Sequence, residues 1–75
     1  MSTIKNTEKT LSIIMTVYNG EDHVSEAIES ILEQSYKSFE FIIIDDASTD
    51  QTFSICEKYS VQDNRIRLYR NKQNL

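Results

Sequence analysis

The stretch Phe39-Glu40-Phe41-Ile42-Ile43-Ile44-Asp45-Asp46-Ala47-Ser48-Thr49-Asp50 constrains this chain more than any other. Five of its first six residues are β-branched or aromatic, and two adjacent carboxylates follow the run. An apolar run of this length, ended by turn residues, predicts a strand buried on both faces. Ionised carboxylates avoid low dielectric unless positive or hydrogen-bonding groups meet them. Open parallel sheets take their ligands just beyond the carboxyl ends of the strands, and Asp45 and Asp46 stand at such an end. The plainer alternative is that the two acids only begin a loop and cap the next helix.

The rest of the chain falls into place around that strand. Residues 1–10 are polar and unpatterned, which predicts a flexible leader, with the ordered, incomplete portion of a domain over residues 11–75. Leu11 to Tyr18 reads as a strand with Leu11, Ile13, Met15 and Val17 on a wholly apolar side, and Asn19-Gly20 breaks it. Val24, Ala27, Ile28, Ile31 and Leu32 then recur at helical spacing. Asn19 is the expected N-cap, with Glu21 and Asp22 in the first turn and an end near Gln34. Ser35 to Ser38 would be the connection to the strand at Phe39. Ser48-Thr49-Asp50-Gln51 has the spacing of a capping box ahead of a second helix, whose apolar side is Thr52, Ile55, Cys56 and Tyr59 with Phe53 beside it. Arg65 to Arg70 alternates and predicts a third strand, less buried than the first two.

Strand, helix, strand, helix, strand predicts two βαβ units and an α/β fold on a parallel sheet. With right-handed crossovers and strand order 3-2-1, both helices lie on one face. Ile42 and Ile44 point one way and Phe41 and Ile43 the other, so the side the helices leave uncovered is an apolar patch of the kind that marks a missing partner. The sequence therefore reads as half of a domain. The bare face calls for either the remainder of the domain or a self-association partner.

Charge and cysteine usage exclude several classes. The net charge of −4 is uneven: residues 1–64 carry twelve acids and four bases (−8), and residues 65–75 carry four bases and no acid (+4). The acidic bulk argues against nucleic-acid binding. Cys56 is alone, which precludes an internal disulfide or a cysteine zinc site. No apolar run reaches the roughly 18 residues of a membrane span, and no signal-peptide core is present. A cytoplasmic location follows as the expectation. A single Gly in the first turn rules out the dinucleotide fingerprint and the P-loop. One His and one Cys support no nucleophilic triad, and His23 reads as a surface residue.

One cluster remains. Thr16, Tyr18 and Asn19 end the first strand, while Asp45, Asp46 and Ser48 end the second. Adjacent strands lie about 4.8 Å apart, so these ends share a rim. An aromatic ring to stack, a hydroxyl, and a carboxylate to accept from a ring N–H suit a nucleobase such as uracil or guanine.

Ser12 to Glu21, Gln34, and Phe41 to Asp50 resemble the opening of family 2 glycosyltransferases, inverting enzymes of the Rossmann-like GT-A fold that use nucleotide-diphosphate sugars. The resemblance spans residues 11–70 and rests on Tyr-Asn-x-Glu and Asp-Asp-x-Ser-x-Asp at this separation. It implies that Thr16, Tyr18 and Glu21 line the nucleoside pocket, with Tyr18 against the base. It further implies that Asp46 hydrogen-bonds the base, with Asp45 beside it and Ser48 shaping the turn. Many members carry Pro where this chain has Thr16. The family's Asp-x-Asp metal motif, which holds Mn or Mg on the diphosphate, does not occur in these 75 residues. Its catalytic base and acceptor-binding portion also come later in the family's chains. The resemblance thus implies the N-terminal, nucleotide-binding portion of a transferase, inactive by itself. Family habit makes UDP the leading donor nucleotide, with GDP and dTDP open, and the acceptor a saccharide or lipid-linked group reached at the inner face of the membrane.

Two rivals belong to other classes. A receiver module of the response-regulator type also ends a strand with an acidic pair, but it needs a later phosphoacceptor Asp at a strand end and then a Lys. Only Asp50 and Asp63 follow here, neither at a predicted strand end. A non-catalytic binding module on a transferase-like half fold is the other.

Overall fold

Alternation of side chains along extended backbone builds the sheet, and burial shows which parity faces inward. The structure, a computed structural model, describes residues 11–34 and 37–73. The expected leader, 1–10, and part of the expected connection after the first helix lie outside them. The described elements are β1 (Leu11–Val17), α1 (Val24–Leu32), β2 (Phe39–Asp46), α2 (Thr52–Gln62) and β3 (Ile66–Asn71). The three strands are parallel in the order β1-β2-β3. This is the expected α/β architecture.

The burial of β2 alternates residue by residue. Phe39, Phe41 and Ile43 are buried and join Val24 and Ile28 of α1, Cys56 of α2 and Ile66 of β3 in one apolar core. Ile13, Met15 and Val17 pack on that core from β1, and Leu68 from β3. Both helices therefore cover a single face, and across them the Tyr59 hydroxyl donates to the Glu29 carboxylate. On the opposite face Ile14, Ile42 and Arg67 lie in one row of the register, and Thr16, Ile44 and Tyr69 in the next. Ile14 is 63% exposed and Tyr69 55%. The unpartnered apolar face expected from the sequence is present.

Several local expectations are corrected. β1 is an edge strand in which no residue is fully buried, whereas β3 contains the buried Ile66. The third strand is thus not uniformly less buried than the first. Only β2 has neighbours on both sides, so the sheet protects it most. Helix α1 begins at Val24, not in the turn at Glu21, and its N-cap is His23 with no side-chain cap bond. Helix α2 starts at Thr52 with Gln51 as N-cap, so the capping box beginning at Ser48 does not form. The side chains expected to cap locally are used across the two turns instead.

Candidate functional site

The rim at the carboxyl ends of β1 and β2 is built by two turns that hold each other. Asn19 takes a left-handed conformation with φ 48°, the region an Asn side chain tolerates best among residues other than Gly. Its Oδ1 accepts from the Thr49 N–H at 2.8 Å, 30 residues along the chain. In return the Asn19 N–H donates to Ser48 Oγ at 2.9 Å, and the Gly20 N–H to Thr52 Oγ1 at 2.8 Å. Glu21 Oε1 accepts from the Gln51 N–H at 2.9 Å, while the Glu21 N–H donates to Asp50 Oδ2 at 3.3 Å. Asp50 Oδ1 accepts from the Thr52 N–H at 2.9 Å. Each turn satisfies backbone donors that would otherwise be orphaned at the start of a helix. Burial of Asp50 works to raise its carboxyl, but the bonds from Thr52 and Glu21 outweigh it and hold it below its ordinary value.

The acidic pair divides across the sheet. Asp45 shares parity with Phe41 and Ile43, so it faces the helices and is 0% exposed. Its Oδ1 accepts from Ser48 Oγ at 2.6 Å and its Oδ2 from the Ser48 N–H at 3.1 Å. Arg70 Nε lies 3.5 Å from Oδ2. Arg70 also donates to the Ser48 carbonyl at 3.3 Å and stacks over the Phe53 ring at 4.4 Å. Ala47, between the second acid and Ser48, has φ 62°, and this left-handed step lies within the turn that returns Ser48 onto Asp45. Asp46 shares parity with Ile42 and Ile44 and lies on the uncovered face, where Asn71 Nδ2 donates to its Oδ1 at 3.0 Å.

The six residues expected at the site thus fall into two groups. Thr16 on the open face, Tyr18 at 52% exposure and Asp46 stand at the accessible rim. Asp45 and Ser48 are buried beneath it, and the exposed Glu21 is bonded to Asp50 and Gln51 of the second turn. Tyr18 borders a shallow apolar depression of about 180 Å³ with Val17, Gly20, His23, Val24 and Ala27. A second depression, of about 510 Å³, opens on the other side of the acidic pair, lined by Ala47, Ser48, Thr49, Arg70, Asn71 and Lys72. Arg70 and Asn71 were missed by sequence reasoning as partners of the acids. The signal for Arg70 was the run of four bases without an acid over residues 65–75.

Among the described residues no group of three or more His, Cys, Asp or Glu side chains converges as metal ligands. The acids of the rim are engaged by Ser48, Arg70 and Asn71. These residues do not form a metal site of the kind that holds a diphosphate. No described helix is long and apolar enough to cross a membrane.

A parallel β-α-β-α-β sheet with its polar cluster at the strands' carboxyl ends is an open α/β sheet of the kind that takes ligands at that edge. The sequence model for glycosyl transferase family 2 matches residues 12–75, and this chain belongs to that family. EpsE of Bacillus subtilis (strain 168), assigned as a glycosyltransferase, is 49% identical over 70 residues, covering 92% of this chain and 25% of that protein. The Escherichia coli UDP-Glc:alpha-D-GlcNAc-diphosphoundecaprenol beta-1,3-glucosyltransferase WfaP is 46% identical over 56 residues, 75% of this chain and 22% of WfaP. Among solved structures, the mannosyltransferase PcManGT from Pyrobaculum calidifontis, in complex with GDP-Man and Mn2+, superposes with a TM-score of 0.78 at 25% identity. That likeness covers 87% of this chain and 20% of PcManGT, and the fold is the GT-A type. The chain spans a quarter or less of the length of the relatives it matches. Family membership removes the receiver reading, and the end of β3 carries Arg70 and Asn71 where a phosphoacceptor Asp would be needed.

Proposed function

We propose that this chain forms the nucleoside-binding portion of a glycosyltransferase that takes a UDP-linked sugar and delivers it, with inversion, to an acceptor hydroxyl in polysaccharide biosynthesis. The observation that carries this reading is the joint placement of Thr16, Tyr18 and Asp46 at one rim. They stand at the carboxyl ends of adjacent parallel strands in a chain of this family. The Tyr18 ring stacks on the base, the Thr16 hydroxyl borders it, and the Asp46 carboxylate accepts from the base's ring N–H. Glu21, Asp45 and Ser48 keep the rim in shape without touching the base. The relatives bracket the donor: WfaP is named for UDP-Glc, and PcManGT was solved with GDP-Man. Both uracil and guanine carry the ring N–H that a carboxylate reads.

A chain spanning a quarter or less of its relatives holds the donor's nucleoside, and the chemistry belongs to the rest of the enzyme. There we place the residues that hold Mn or Mg on the diphosphate, the base that deprotonates the acceptor, and the saccharide or lipid-linked acceptor site. The open face of the sheet, with Ile14, Ile42 and Ile44, is where that remainder packs. The setting is the cytoplasm, at the inner face of the membrane. The test is Asp46→Ala in the intact protein, titrated with UDP by calorimetry. Binding is expected to weaken by about 1–3 kcal/mol, the range for leaving a polar partner unsatisfied; unchanged affinity removes Asp46 from the site.

A further inference from the structure

The last two residues of β3 answer the acidic pair one for one. The parallel register sets Asp45 opposite Arg70 and Asp46 opposite Asn71. Successive side chains of a strand point to opposite faces, so Arg70 meets Asp45 on the helix side and Asn71 meets Asp46 on the open side. The two partners differ in chemistry. Buried Asp45 receives a guanidinium, whereas Asp46 at the rim receives a neutral amide at 3.0 Å. An ionised carboxylate only accepts hydrogen bonds, which fixes the amide with its nitrogen toward Asp46. Such a carboxylate has about four lone-pair sites, and the bond from Asn71 to one of them constrains the plane of the group.

We propose that Asn71 is a positioning residue for base recognition: it orients the Asp46 carboxylate so that the ring N–H of the bound nucleobase is met in line. This rests on the nucleoside reading above and adds to it a residue on β3, outside both turns. Asn71 does not contact the base. It governs how well the protein tells a base with a ring N–H from one without.

The experiment compares, in the intact protein, the affinity for UDP and GDP with that for their analogues methylated on the ring nitrogen that carries the N–H. The wild type is expected to prefer the unmethylated nucleotide, and Asp46→Ala to abolish the preference. Asn71→Leu is expected to weaken UDP or GDP binding about five- to tenfold, the scale of one ordinary net hydrogen bond. It should leave the methylated analogue nearly unaffected, so the preference shrinks by the same factor. In the Asp46→Ala background Asn71→Leu should change nothing further. Asn71→Ser, which keeps a shorter donor, gives an intermediate preference and serves if the Leu variant does not fold. A purely structural Asn71 would lower both affinities equally, and that result overturns the proposal. Should Asp46→Ala itself leave the preference intact, the nucleoside reading falls and this one with it. If only the Asn71 variants behave as wild type, the nucleoside reading stands and Asn71 has no part in it.

Discussion

Asp45→Ala tests whether the first acid of the pair is frame or ligand. The carboxylate is fully buried and accepts twice from Ser48, at 2.6 Å and 3.1 Å. Hydrogen bonds to a charged group contribute about 1.5–3 kcal/mol each. The Arg70 contact, at 3.5 Å with the Arg side chain 49% exposed, adds only about 0–1 kcal/mol because water screens it. Ser48 is itself buried, and its hydroxyl passes the bond from the Asn19 N–H on to Asp45. Truncation therefore strands donors rather than freeing them to solvent. Allowing for relaxation of the turn, the expected loss is about 3–4 kcal/mol. Against a total of about 4–11 kcal/mol for a domain of this size, the variant sits near the edge of folding. With a urea slope of about 1 kcal/mol per molar, the midpoint followed by far-ultraviolet circular dichroism falls by about 3 M. Asp45→Asn keeps one acceptor for the Ser48 N–H and is expected to lose about half as much. A fall of less than about 1 kcal/mol for Asp45→Ala would refute the assignment of this residue to the frame.

Ala47→Gly should stabilise the chain by about 0.5 kcal/mol. The left-handed conformation costs a residue with a Cβ about 1–2 kcal/mol, of which the backbone entropy of Gly returns about half; a clear destabilisation in the same urea assay would show that Ala47 is not strained. Cys56 is buried, and burial first, with the Asp45 charge second, pushes its thiol up to about 11. Thiol-reactive reagents should therefore label it only through unfolding, and labelling as fast as in a short peptide would contradict its place in the core. The linkage has a definite sign. Between the ordinary value of 9.0 and about 11 the unfolded thiol ionises while the folded one keeps its proton. The folded state then binds more protons, and stability falls as pH rises. Cys56→Ala should flatten that part of the pH profile relative to the wild type, and an unchanged slope would mean the thiol titrates normally.

Much of this fold was written in local pattern. The helical recurrence from Val24 to Leu32 and the apolar run ending in two acids depend on short-range periodicity, and the structure keeps both. The rim's membership was legible for the same reason, because strand ends in a parallel sheet converge. The caps were not legible. Asn19 and Glu21 have the chemistry of local caps, yet they bond Thr49 and Gln51 about 30 residues away. Nothing in the spacing of either turn says that its partner is the other turn.

The sequence by itself determined the element order, the parallel sheet and the family, since periodicity and turn residues act over a few positions. It also held a hint of which face is covered: Ser12, Glu40 and Arg67 share the parity that the structure leaves open. Tertiary structure alone decided the separate fates of two neighbouring aspartates. Chemically they are identical, and one step along the pleat puts Asp45 under the helices beside Ser48 and Arg70, and Asp46 on the open face beside Asn71. The pleat gives them opposite faces, and the register of β3, which pairs residues 25 positions apart and which no local pattern encodes, gives them their partners.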